Sequence, residues 1–178
     1  MADDGPLVEL PGISAARAAA FLITAFEGGT LHRERLKGNA LGFDPATRDR
    51  LIAGSLVPEA LHARAQRFRE RYRDEVLAAI AGFDVLLAPA TPCVAPTIAD
   101  PRIRIDGEWR PARADLGIHT QAISFLGLPA LAVPLRRPGR LPLGVQLIGW
   151  PGGEPMLFAY AAELERRGVI GCETGVMV

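Results

Sequence analysis

Three short apolar runs constrain this chain more than any other feature: VLLAP at Val85–Pro89, PALAVP at Pro129–Pro134 and VQLIG at Val145–Gly149. Each is bounded by Pro or Gly and lacks the polar alternation that a strand with one wet face carries. They predict strands covered on both faces. The first directly follows a long helical stretch, which argues for an α/β layering of sheet and helices. The region His119–Gly149 contains the other two and reads almost entirely as strand and turn, with RRPGRLP (Arg136–Pro142) reversing the chain between them.

Helix signals surround these runs. Ser14–Phe26 (SAARAAAFLITAF) offers Ser14 as N-cap and an apolar face, with Gly28 and Gly29 as the stop. Asp44 caps a second, short helix with Pro45 at its first position and Gly54 near its end. From Pro58 to Gly82 the residues Leu61, Ala65, Phe68, Tyr72, Val76 and Ile80 recur at three- and four-residue intervals, the spacing of one helix face. Gly153 to Gly168 is the last helix, buried through Leu157, Ala161 and Leu164. Between them, Ala90–Gly117 is a Pro-rich loop holding at most a small hairpin around the Asp106–Gly107 turn.

With 49% hydrophobic residues, a 178-residue chain can bury enough surface to fold as one domain. Its 20 basic and 20 acidic residues balance, so nothing predicts binding to nucleic acid or to an anionic membrane. The densest charge run, RFRERYRDE at Arg67–Glu75, alternates in sign like a solvated helix face. No apolar run approaches the roughly 20 residues of a membrane span, and the N-terminus is acidic where a signal peptide is basic. Cys93 and Cys172 have no histidines at zinc-ligand spacing and read as free thiols, which places the chain in the cytoplasm. No metal and no cofactor are expected.

Nucleophilic catalysis needs an activated nucleophile, a base and oxyanion donors. The sequence has three serines. Ser14 reads as a cap and Ser55 as a helix end. Ser124 lies near His119 and Asp115, but all three fall on one short segment, whereas such triads converge from separate elements. No G-x-S-x-G, phosphate-cradling glycine loop or H-E-x-x-H occurs. No catalytic residue is assigned.

DVLLAPATPCVAP (Asp84–Pro96), GLPALAVP (Gly127–Pro134) and LPLGVQLIG (Leu141–Gly149), followed by Glu154 and AAELE, resemble in order and spacing the C-terminal part of the amidase signature family. HTQAISFLGLP, ITAFEGGTLHRERL and FDPATRDRLIAG are similar to its carboxybiuret hydrolase branch, which acts on small ureido compounds and is related to the amidase-type chain of glutamyl-tRNA amidotransferase. The resemblance implies the C-terminal portion of a large mixed sheet flanked by helices, with 1–178 as a single partial domain. It also implies a serine nucleophile, a bridging serine in a cis peptide, a proton-relaying lysine and a Gly-Ser-rich oxyanion loop. None of these can be placed here: no two serines are adjacent, and the single lysine, Lys37 in RLKGNALG, departs from the family's lysine motif. The expectation is that the catalytic N-terminal portion is absent from this polypeptide.

The substrate-binding residues implied are His119, Gln121, Thr91 and one of Arg33 or Arg35, donors suited to a carboxylate and carbonyls. Relatives that use glutamine carry an acid three places before the threonine; here that place is Gly117, which disfavours a glutaminase. Two functions stay open. In one, this is part of an amidohydrolase that cleaves a small-molecule amide with ammonia release, inactive alone, its N-terminal half either separately encoded or lost from a broken gene. In the other, it is a non-catalytic remnant used for binding or assembly. A homo-oligomer is a possible assembly. The first predicts an unpaired strand edge and an exposed apolar face; the second predicts that these are covered.

Overall fold

A computed structural model describes residues 6–172. The chain divides into two compact units, one up to Ala81 and one from Gly82. The first is helical: α1 (Ile13–Leu31), α2 (Arg33–Asn39), a single 3-10 turn (Ala40–Gly42), α3 (Pro45–Ser55) and α4 (Glu59–Ala79). Its core is Ala16, Ile23, Leu36, Ala65, Tyr72, Val76 and Ile80. Ala65, Tyr72, Val76 and Ile80 belong to the face predicted for α4, whereas Leu61 at its start is exposed. Asp44 caps α3 as expected, its carboxylate accepting from the Thr47 amide at 2.9 Å, with Pro45 first in the helix.

The glycines of this unit behave differently from their sequence reading. α1 begins at Ile13 after Gly12, makes no side-chain cap, and takes in both Ser14 and the pair Gly28–Gly29 expected to stop it. Gly29 and Gly54 are instead buried where α1 crosses α3. A Cβ on Gly54 would stand 1.8 Å from the Ala25 carbonyl oxygen, and one on Gly29 would stand 2.3 Å from the Ser55 amide nitrogen. The two backbones approach too closely for any side chain. Packing, not termination, accounts for these residues.

The second unit contains β1 (Leu86–Pro89), a hairpin of β2 (Arg102–Ile105) and β3 (Glu108–Pro111), short helices α5 (Ala112–Asp115) and α6 (Gln121–Leu126), then β4 (Ala130–Pro134), β5 (Gly144–Ile148) and α7 (Glu154–Arg166). The hairpin turns where expected, with Asp106 at φ 51° and Gly107 at φ 87°, the paired positive angles of a two-residue turn that Asp-Gly favours. The main sheet has the order β1-β5-β4, and both pairings are antiparallel. All three predicted strands exist, but only the central one is largely buried. Along β1 and β4 exposed residues alternate with covered ones, and Leu87 is 62% exposed. The run-on apolar sequence therefore does not mark strands covered on both faces; Leu87, Pro89, Ala130 and Ala132 stand at the exposed positions, and their apolar character concealed the alternation.

One face of the sheet packs on α7. Val133, Leu147, Leu157 and Ile170 form the core, with Val85, Leu131, Val145, Ala161 and Leu164 against it. Leu157, Ala161 and Leu164 are the stripe expected of the last helix. The segment after α7 folds back along the end of β4, where Leu135 pairs with Ile170 and the Gly171 amide donates to the Pro134 carbonyl at 3.1 Å. Trp150 closes the other end through an indole N–H donated to the Phe83 carbonyl at 2.8 Å.

Candidate functional site

The opposite face of the sheet is defined by the strand register. Ala88, Gln146 and Ala132 lie side by side across the three strands, so two small side chains flank one long polar one. Gln146 is 3% exposed. Its Nε2 donates to the Pro89 carbonyl at 3.0 Å and to the His119 carbonyl at 2.9 Å. A buried amide in an apolar sheet is costly unless bonded, and these two acceptors satisfy both protons of its NH₂ group.

From Pro89 the chain runs into Thr91-Pro92-Cys93, and from His119 into α6. A cavity of about 360 Å³ opens beside the first of these segments, with Thr91, Cys93, Leu116, Ala132, Pro134 and Gly144 in its wall; His119 and Gln121 do not line it. The lining is mostly apolar, with the Thr91 hydroxyl and the Cys93 thiol as side-chain polar groups. Thr91 Oγ1 donates to the Cys93 carbonyl at 2.9 Å, which closes a local turn around Pro92 and holds the hydroxyl at the wall.

His119–Leu128 corrects the reading of this region as strand and turn. Gln121–Leu126 is helical, with Ala122, Ile123, Phe125 and Leu126 buried, and Gly127 at φ 69° ends it in the left-handed conformation. The Gly117 carbonyl fixes its start by accepting from the amides of Thr120 at 3.1 Å and Gln121 at 3.0 Å and from the Thr120 hydroxyl at 3.2 Å. A Cβ at Gly117 would meet nothing nearer than Thr120 Oγ1 at 3.4 Å, so the absence of an acid there is not imposed by space. Ser124 is exposed on α6.

The predicted binding residues thus fall into two groups. Thr91, His119 and Gln121 are half-buried on the two segments that Gln146 ties to β5. Arg33 and Arg35 belong to α2 in the other unit; both are exposed, and the Arg35 guanidinium lies over the Phe43 ring at 5.0 Å. Sequence reasoning missed Gln146. The signal was present: a glutamine inside VQLI is a polar group in a core strand and calls for a partner. Among the described residues no group of three His, Cys, Asp or Glu side chains is placed to hold a metal, and no helix is long and apolar enough to cross a membrane.

Comparison with known proteins places this arrangement. The amidase family profile matches residues 16–158, more than half of the chain and parts of both units; the chain belongs to the amidase family. Among its relatives, AtzE of Pseudomonas sp. (strain ADP), a 1-carboxybiuret hydrolase subunit, is 43% identical over 92% of this chain and 36% of its own length. A glutamyl-tRNA(Gln) amidotransferase subunit of Rhizobium meliloti (strain 1021) is 40% identical over 73% of this chain and 27% of its own. A solved structure described as "An unexpected vestigial protein complex reveals the evolutionary origins of an s-triazine catabolic enzyme" superposes with a TM-score of 0.88 at 40% identity, over 95% of this chain and 37% of that one. The α/β architecture expected from the sequence is that of the amidase signature enzymes, although the three-stranded sheet described here is wholly antiparallel. The chain spans about a third of the length of these relatives.

Proposed function

We propose that this chain is the C-terminal portion of an amidohydrolase that cleaves the C–N bond of a small carboxylated ureido compound of the 1-carboxybiuret type, releasing ammonia. The observation that carries this is the match to the 1-carboxybiuret hydrolase relative, which extends over 92% of this chain but 36% of that protein. The two compact units then belong to one partial amidase-signature domain. The polypeptide that completes it supplies the nucleophile, and this chain supplies the pocket.

The division follows from chemistry. Attack on a urea-type carbonyl needs a deprotonated hydroxyl and donors for the oxyanion, and the three scattered serines and one exposed lysine of this chain do not assemble such a set. What the second unit offers is recognition: an apolar cavity with the Thr91 hydroxyl at its wall and His119 and Gln121 on the adjoining segment. A carboxylate and two carbonyls want N–H donors, which His119 and Gln121 carry, whereas the Thr91 hydroxyl, its proton given to the Cys93 carbonyl, is left as an acceptor. A site of this kind orients the scissile carbonyl, while proton transfer belongs to the partner's groups. We place the assembled enzyme in the cytoplasm.

Purified alone, the chain is expected to release no ammonia from 1-carboxybiuret. Co-expressed with an N-terminal amidase segment carrying the Gly-Ser-rich loop and its lysine, it is expected to gain that activity. Ammonia release by the isolated chain, abolished by Ser124→Ala, would overturn the reading.

The alternative is a non-catalytic remnant serving as a binding or assembly module. The exposed strand Leu86–Pro89 at the sheet edge, with Leu87 62% exposed, supports the incomplete enzyme over a remnant adapted to stand alone.

A further inference from the structure

We infer that Gln146 is a positioning residue for the candidate pocket: its one amide group sets the spacing between the Thr91 wall and the segment that carries His119 and Gln121. This rests on reading the cavity as the substrate pocket. Gln146 stands in the central strand, is 3% exposed and is held between Ala88 and Ala132. Both acceptors are main-chain carbonyls, so only the NH₂ end of the amide can face them, and the oxygen end is excluded from that position. The carbonyls belong to residues 57 and 27 positions away in sequence. Pro89 is two residues before Thr91, and His119 is two before Gln121. Nitrogen-to-oxygen distances of 3.0 and 2.9 Å leave neither bond slack, so displacing either segment lengthens its bond to Gln146. Gln146 spends its donors on backbone and touches no reacting atom; it acts through the residues it holds.

The test uses the full chain, isotopically labelled, in a Cys172→Ser background so that Cys93 is the single thiol. Gln146→Met keeps the volume and removes both donors. Gln146→Glu keeps the shape and donates only when its carboxyl is protonated. In folded Gln146→Met the backbone amide signals of Ala90, Thr91 and Thr120 are expected to move while those of Glu154–Arg166 stay, and alkylation of Cys93 by iodoacetamide should quicken at least about threefold. In Gln146→Glu the Ala90 and Thr91 signals should resemble those of Gln146→Met at neutral pH and return part-way to wild type in acid, with one common midpoint, because the protonated carboxyl restores one of the two bonds. A merely space-filling role predicts no such return. Unmoved amides in folded Gln146→Met, or no acid return in Gln146→Glu, would overturn the inference; should Gln146→Met fail to fold, the Gln146→Glu profile decides. None of these readouts needs a substrate. In the complemented enzyme with 1-carboxybiuret, Gln146→Met should raise KM about tenfold with a smaller change in kcat. Walls that move without any change in KM would remove the substrate reading and leave the positioning role standing.

Discussion

Glycine shows how the same residue type serves opposite ends in this chain. Gly38, in α2, faces open space: a Cβ there would meet nothing within 4 Å. Gly38→Ala should stabilise the first unit by about 0.5–1 kcal/mol, because alanine loses less backbone freedom on entering a helix. Gly54→Ala forces a methyl to within 1.8 Å of the Ala25 carbonyl. Separating the helices should cost about 3 kcal/mol, at the upper end of ordinary overpacking. Thermal unfolding of the pair checks both, with opposite shifts in Tm expected. Gly54 was legible as a glycine near a helix end but not as a contact, because a close crossing depends on a partner 25 or more residues away that no local pattern encodes. Asp44 was fully legible, since a cap and its Thr47 amide lie three residues apart.

At the level of single elements, local signals carried furthest where the element is long or its turn chemistry is specific. The stripe on α7 and the Asp106–Gly107 hairpin were both readable. α6 was not: six residues are too few to display a helical period, and β-branched and aromatic residues beside a Gly-Leu-Pro turn imitate a strand. The last turn of α7 carries its own pH dependence. Arg166 and Arg167 hydrogen-bond the Glu163 carboxylate and hold its pKa at about 2, well below the ordinary 4.5. A depressed carboxylate adds stability that is complete above the unfolded value and fades as pH falls from about 4.5 towards 2. A carboxyl-carbon NMR titration should place the Glu163 midpoint at about 2, and Glu163→Gln should remove this part of the acid response of α7.

For the molecule as a whole, membership of the amidase family was readable from motifs in register, and so was the absence of adjacent serines. The candidate site was readable only in part. Thr91, His119 and Gln121 were named for the chemistry of their side chains, but what brings their segments together is a bond network spanning 57 residues of sequence. β1 lies at one end of the sheet and presents Leu87 to solvent. An uncovered apolar edge invites pairing with another chain. Size-exclusion chromatography of the isolated chain should show concentration-dependent self-association, and Leu87→Lys should reduce it without lowering Tm by more than a few degrees. Elution of the wild type as a monomer at all concentrations would count against an open edge.

The order β1-β5-β4 has a consequence for how the protein is made. Neither outer strand pairs with the other; each meets only β5, which leaves the ribosome last. Until Gly144–Ile148 emerges, the earlier two strands have no neighbour in this sheet, and a nascent chain halted before that point holds the β2–β3 hairpin but no part of the main sheet's ladder. Five residues synthesised late convert two solitary ribbons into one sheet, which makes them the step at which translation commits the second unit to its shape.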